Sequence, residues 1–268
     1  MIFAAAGTQD GRELAGVLLS AGYPVTASVV SSYGEKLLER YPGLKINDKP
    51  LDEEALEAYI RQHGVRLFVD ASHPYAANVS QNAMKACHRA GIPYIRYERK
   101  SVPVNYDKVY PVETYEEAAR EAARLGKTVF LTTGSRNLKA FTTSEALKGH
   151  NVIARILPTA KVLAECEELG LTPKEIVALQ GPFSEELNIA LYRQYGAEVV
   201  VTKNSGEIGG TDTKLTAAKK LGLPVVMIDR PKLDYDVIAY TFEEVLEFVK
   251  EKIGGRMNHG LYQTADGY

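Results

Sequence analysis

The chain has 268 residues, 45% hydrophobic and 25% charged, enough to bury one large core or two of ordinary size. A formal net charge of −2 gives no global attraction to nucleic acid or to an anionic membrane. No segment approaches the ~20 apolar residues of a membrane helix, and Cys87 and Cys166 lie far apart with no C-x-x-C spacing, so a cytoplasmic protein with reduced thiols is expected.

Strand-like and helix-like patterns alternate along the chain, the signature of βα units around a parallel sheet. The apolar run 2–6 reads as a first strand rather than a signal-peptide core, because it leads directly into Gly7-Thr8. A helix over about 11–21 follows, with Leu14, Ala15, Leu18 and Leu19 on one face. Then come a strand over 25–30, a short helix from 36, a weak element at 44–46, and an acidic helix over 52–63 closed by Gly64. A buried strand at 67–69 ends in Asp70-Ala-Ser-His-Pro-Tyr-Ala76, where Pro74 reads as the first helical residue; a helix to 90 and a strand at 94–97 complete this half. The segment 100–107, with Pro103 and Asn105, breaks the rhythm and reads as a hinge.

Beyond it strands are expected at 109–112, 129–132, 152–156, 176–179, 199–202 and 225–228. Helices are expected at 115–125, 138–147, 160–169, 185–195, 213–221 and 242–252. The predicted fold is α/β, two Rossmann-like parallel-sheet domains facing a central cleft: 1–100, 105–253, and a flexible polar tail over 254–268.

The chemistry concentrates in turns at the carboxyl ends of these strands, where open α/β sheets bind ligands. Ala6-Gly7-Thr8-Gln9-Asp10-Gly11-Arg12 is placed to offer backbone N–H groups to a pyrophosphate, although the full G-x-G-x-x-G spacing is missing. The second strand ends in Ser31 and Ser32 rather than an acidic residue, leaving NADH and NADPH both open. Asp70, Ser72, His73 and Tyr75 converge in one turn, and Arg96 and Arg99 leave the next strand. In the second half Thr133-Gly134-Ser135-Arg136, Arg155, Lys203-Asn204-Ser205-Gly206, Lys214 and Arg230 supply glycine-permissive turns and cations on a nearly neutral chain. No Walker lysine, G-x-S-x-G elbow, H-E-x-x-H or histidine pair with metal-ligand spacing occurs, so phosphoryl transfer, nucleophilic hydrolysis and a protein-held metal are not expected.

Gly7-Thr-x-x-Gly-Arg-x-Leu-Ala15, Asp70-Ala-Ser-His-Pro-Tyr-Ala76, Arg96-x-x-Arg99, Gly181-Pro-Phe-Ser184, Val201-Thr-Lys-Asn-Ser-Gly206, Lys214-x-x-Ala-Ala218 and Asp229-Arg-Pro231 resemble the precorrin-6A and cobalt-precorrin-6A reductases of corrin biosynthesis. The resemblance runs over about residues 1–250, with Ala-Ala-Gly-Thr at the first turn where many members have Gly-Gly-Thr. It implies reduction of one macrocycle double bond by NADPH or NADH, with the tetrapyrrole in the cleft and the protein a monomer or small homo-oligomer. Gly7, Thr8, Asp10, Gly11, Arg12, Ser31, Ser32, Ser72, Thr133, Gly134 and Ser135 are then the expected cofactor contacts. Arg96, Arg99, Arg136, Arg155, Lys203, Ser205, Gly206, Lys214 and Arg230 are expected to meet the substrate carboxylates. His73, Tyr75 and Lys203 are the candidate proton donors. Two other readings are a non-catalytic two-domain protein closing on a small anion and a Rossmann-type reductase for a small carbonyl compound.

Overall fold

In the computed structural model the described residues are 1–30 and 32–254; Ser31 and the expected tail from 255 onward lie outside them. Their contacts divide the chain into two compact units, one of residues 1–99 with the segment from 232, the other of residues 100–231.

The first unit starts with β1 (Ile2–Ala5), α1 (Gln9–Ser20), β2 (Val25–Ser28), α2 (Ser32–Leu38) and β3 (Lys45–Asn47). It continues with α3 (Glu53–His63), β4 (Leu67–Asp70), α4 (Ala77–Ala90) and β5 (Tyr94–Tyr97). Every residue of β1 and β4 is buried, as expected for strands covered by helices on both faces. All pairings are parallel, with Ile2 opposite both Val25 and Leu67. The helix boundaries follow local chemistry: Asp52 caps α3 through the Ala55 amide, and left-handed Gly64 ends it.

The second unit holds β6 (Val109–Val112), α5 (Tyr115–Leu125), β7 (Thr128–Leu131), α6 (Lys139–Thr142) and β8 (Asn151–Ile156). After these come α7 (Ala160–Glu168), β9 (Ile176–Ala178), α8 (Glu185–Gln194), β10 (Val199–Lys203), α9 (Thr211–Leu221) and β11 (Val225–Ile228). Thr114 and Glu117 form a reciprocal capping box at the start of α5. The helix expected over 138–147 is instead the single turn of α6 followed by a separate 3-10 turn, Glu145–Leu147, with Thr143 and Ser144 between them. Hydroxyl residues favour such breaks because they bond back to the backbone, as Thr143 does to the Lys139 carbonyl at 2.8 Å.

The chain then returns to the first unit as β12 (Ile238–Ala239) and α10 (Phe242–Ile253). The strand orders are β12-β5-β4-β1-β2-β3 and β6-β11-β10-β7-β8-β9. Each is the order of a doubly wound nucleotide-binding sheet, and the two have traded their sixth strands: β6 follows β5 in sequence but pairs with β11, and β12 follows β11 but pairs with β5. This corrects the expected second domain of 105–253, whose last 22 residues belong to the first unit. The apolar stripe of α10 predicts a buried face but cannot say which core takes it; Val245 and Val249 join the core built on Ile2, Leu14 and Val69. A two-residue strand carries no periodicity at all, so β12 was not expected. Among the described residues no helix is long and apolar enough to cross a membrane.

Candidate functional site

In both sheets the strand order reverses beside the first strand of the wound half, between β1 and β4 and between β7 and β10. Ligands of this fold class bind outside the carboxyl ends at that reversal. Four of the turns singled out in the sequence, those at Gly7, Ser72, Gly134 and Ser205, follow these four strands.

In the first unit, Thr8 caps α1 by accepting from the Gly11 amide at 3.1 Å and donates to the Ala71 carbonyl at 3.0 Å, tying together the turns after β1 and β4. Gly11 is required by this approach, since a Cβ there would lie 2.7 Å from the Ala71 oxygen. Gly7 is exposed with open space where a side chain would project. Arg12 reaches back to the Gly7 carbonyl at 3.4 Å, and its buried Nε has no partner among the described residues. The uncapped amides at the start of α1, the open Gly7 turn and this guanidinium fit the phosphates of a dinucleotide.

Asp70 is fully buried and accepts from Ser80 at 2.5 Å, Tyr94 at 2.6 Å, Arg96 at 2.9 Å and the Ser72 amide at 3.0 Å. Burial alone pushes its carboxyl up, but Arg96 and these hydrogen bonds outweigh that and hold it below the usual range. Arg96 also donates to Glu98 at 2.8 Å and to Ser72 Oγ at 3.1 Å, and lies over the Tyr235 ring. Arg99 donates to buried Asp10 at 2.6 Å.

These contacts redirect several expectations. Arg96, 1% exposed, is a buried brace rather than a surface for substrate carboxylates. Ser72 is committed to the same network, and Arg99 with Asp10 locks the base of the first turn. Pro74 precedes the helix instead of starting it: Ala76 donates to the His73 carbonyl in a turn, and α4 begins at Ala77. Half-buried His73 accepts at Nδ1 from the Tyr75 amide at 3.2 Å, which leaves Nε2 as the position carrying the proton of the neutral ring. Ser31 is outside the described residues.

The second unit gathers cations of its own. Arg155, on β8 and 5% exposed, donates to Asn188 Oδ1 at 2.7 Å and stacks 4.1 Å above the Phe183 ring. Asn188 in turn donates to the Ser184 carbonyl at 2.9 Å and reaches Thr213 Oγ1 at 3.5 Å, at the start of α9. Lys214, one residue on, donates to the Gly209 carbonyl at 2.7 Å. Burial, then Arg155 and Lys203, push the Lys214 ammonium down to about 7 against a smaller opposing pull from Asp212. Lys203, at the end of β10, is pushed down to about 8 by burial and by exposed Arg136 on the turn after β7.

The loop between Lys203 and α9 braces itself. Ser205 donates its amide to Thr211 Oγ1 at 3.0 Å, and Thr211 donates to the Lys203 carbonyl at 3.2 Å. Gly206 accepts from the Gly209 and Thr211 amides, and left-handed Gly210 enters α9 with no side-chain cap. Arg230 folds onto this loop, donating to the Asn204 carbonyl at 2.8 Å, while the Asn204 amide side chain bonds both backbone groups of Val102. Buried Thr133 has a hydroxyl with no partner among the described residues, beside Gly134 and Ser135 in the turn after β7.

Arg136, Arg155, Lys203 and Lys214 are thus brought together, whereas Arg96 and Arg99 are diverted into structure. Asn188 was missed, although a polar residue four positions before Tyr192 on a buried helical face is a readable signal. Ser80 has the same signature in α4, and Tyr235, in a loop, has none.

Two parallel sheets of the nucleotide-binding order, with charged turns at both reversals, define a double Rossmann-like protein. The family described as "Precorrin-6x reductase CbiJ/CobK" matches residues 1–250. The chain is 46% identical over 247 residues to the cobalt-precorrin-6A reductase of Priestia megaterium, covering 92% of this chain and 96% of that one. It is 37% identical over 245 residues to the cobalt-precorrin-6A reductase of Methanocaldococcus jannaschii, covering 91% and 95%. A solved structure titled "CobK precorrin-6A reductase" superposes with a TM-score of 0.77 at 27% identity, over 95% of this chain and 98% of the other. The chain belongs to the precorrin-6A reductase family of cobalamin biosynthesis and is an oxidoreductase acting on a CH–CH group.

Proposed function

We propose that this chain reduces one macrocycle double bond of cobalt-precorrin-6A to cobalt-precorrin-6B, in the cytoplasm, with NADH or NADPH as donor. The choice of the cobalt form follows the printed names of the two relatives above. One observation carries the site assignment: buried and half-buried cations, Arg155, Lys203 and Lys214, are held together at the reversal point of the second sheet. A substrate bearing many carboxylates is the anion such a group fits.

When bound, the nicotinamide supplies the hydride. The residues of the chain bind and orient. The open start of α1, Gly7 and Arg12 hold the dinucleotide phosphates, with Thr8 and Gly11 fixing the turn; in the second unit Thr133, Gly134 and Ser135 form a small-residue turn of its own. Arg136, Arg155, Lys203, Lys214 and Arg230 hold carboxylates, with Ser205 and Gly206 shaping the loop between them. His73 is the proposed proton donor, because its Nδ1 bond to Tyr75 directs the ring proton to Nε2. Tyr75 and Lys203 are the other candidates.

Mixing the purified protein with cobalt-precorrin-6A and either nicotinamide tests this directly. The expected result is a changed macrocycle spectrum with one dinucleotide oxidised per substrate. An unchanged spectrum with both donors rejects the reaction.

A further inference from the structure

Arg155 is 5% exposed, and neither it nor Lys214 has a carboxylate within ion-pair reach among the described residues. Asn188 and the Phe183 ring orient the guanidinium without neutralising it. Burying a cation without a counter-ion costs several kcal/mol, and an apolar side chain of similar size would avoid that cost. The hydroxyl of Tyr192, 1% exposed and close enough to Arg155 to favour its charge, also lacks a partner among the described residues. The start of α9 adds backbone N–H groups beside Lys214. The polar groups of this cluster are arranged for an anion that comes from outside.

The charges facing Lys214 come from each element around it. Arg155 on β8 and Lys203 on β10 repel it, and among the described residues Asp212 on α9 is the group that attracts it. The acid of α8 nearest the α9 face, Glu185, is paired with Lys220 at the far end of that helix. An arriving oxyanion therefore opposes the repulsion at Lys214.

We propose that Arg155 and Lys214 form an oxyanion receptor that takes up a proton as it binds, Arg155 serving as the permanent charge and Lys214 as the charge acquired with the ligand. The idea rests on the reductase reading for the identity of the oxyanion, which is either a macrocycle carboxylate or a dinucleotide phosphate. Free Lys214, held down to about 7, is mostly neutral at pH 8. An anion beside it restores the ammonium, and the proton comes from solvent.

Proton uptake is read with a pH indicator in weakly buffered solution at pH 8, adding cobalt-precorrin-6A without nicotinamide in one arm and NADP⁺ alone in the other. About 0.5–1 proton per site is expected in one arm, and the arm that shows it identifies the oxyanion. Lys214→Met should lose at least half of that uptake. Lys214→Arg, charged at every working pH, should bind as tightly as the wild type with uptake lost to the same extent. Less than about 0.1 proton in both arms, or an uptake unchanged in Lys214→Met, overturns the receptor. If turnover of cobalt-precorrin-6A persists in that case, the reductase reading stands; if turnover is absent as well, both fall.

Discussion

The two units share one strand order and handle buried cations in opposite ways. In the first, Arg96 is surrounded by what it needs: Asp70 and Glu98 raise its affinity for the proton against the effect of burial. Arg99 has Asp10. In the second, Arg155, Lys203 and Lys214 are all shifted towards losing their protons, and burial is the largest cause for each. A buried charge that the chain itself neutralises is part of the scaffold. One without a carboxylate among the described residues, as with Arg155 and Lys214, weakens the fold and suits a partner from outside. The identity of the residue does not distinguish the cases; the neighbours do.

The largest break in this comparison is Asp70→Ala. It strands the Arg96 guanidinium at 1% exposure and removes the acceptor of Ser80 and Tyr94, so a loss of about 3–5 kcal/mol is expected. A urea or thermal melt reads it directly. The double variant Asp70→Ala, Arg96→Met should recover a substantial part of the loss, since it removes the stranded charge. No recovery would mean that the network is not coupled as its geometry indicates.

Arg155→Met is the corresponding change in the second unit, and its effect should fall on function instead. A charged hydrogen bond to substrate is worth about 2–3 kcal/mol, so kcat/KM should fall roughly 30- to 150-fold. Its melting temperature should hold or rise, because no internal ion pair is lost. A strongly destabilised but fully active variant would place Arg155 with Arg96, in the scaffold.

How much of this was legible in the sequence follows from the same physics. The parallel α/β architecture was, because runs such as 199–202 and 225–228 alternate with helices of clear period. The turns at the reversal points were, because glycine and hydroxyl residues at strand ends are local signals. Partner choice was not. Arg96 and Arg155 look alike in the sequence; Asp70 lies 26 residues from the first and Asn188 33 residues from the second, and only the fold brings either pair together. The exchange of β6 and β12 was hidden for the same reason. Hydrogen bonding between parallel strands is a backbone property, and a two-residue strand such as Ile238–Ala239 leaves no mark of the sheet it joins.

A pH-dependent effect sharpens the comparison through its sign. Asp70 is held below its usual value, so it stabilises the fold at neutral pH and that contribution fades on acidification. Lys214 acts in the opposite direction. Its ordinary value of 10.5 falls to about 7 in the folded protein, so between those limits the unfolded chain binds the proton and the folded chain does not. Protons then favour unfolding, and stability should rise with pH across that window. Below about 7 Lys214 is charged in both states and the full penalty applies. Lys214→Met should therefore melt higher than the wild type at pH 6–7, by roughly 2–4 °C for each kcal/mol relieved in a chain of this size. The gap should close as the pH approaches 10, where the wild-type lysine is neutral in the fold at little cost. A gap that stays constant from pH 6 to pH 10 would show that Lys214 carries no proton-linked penalty, and that the contrast between the two units is one of packing alone.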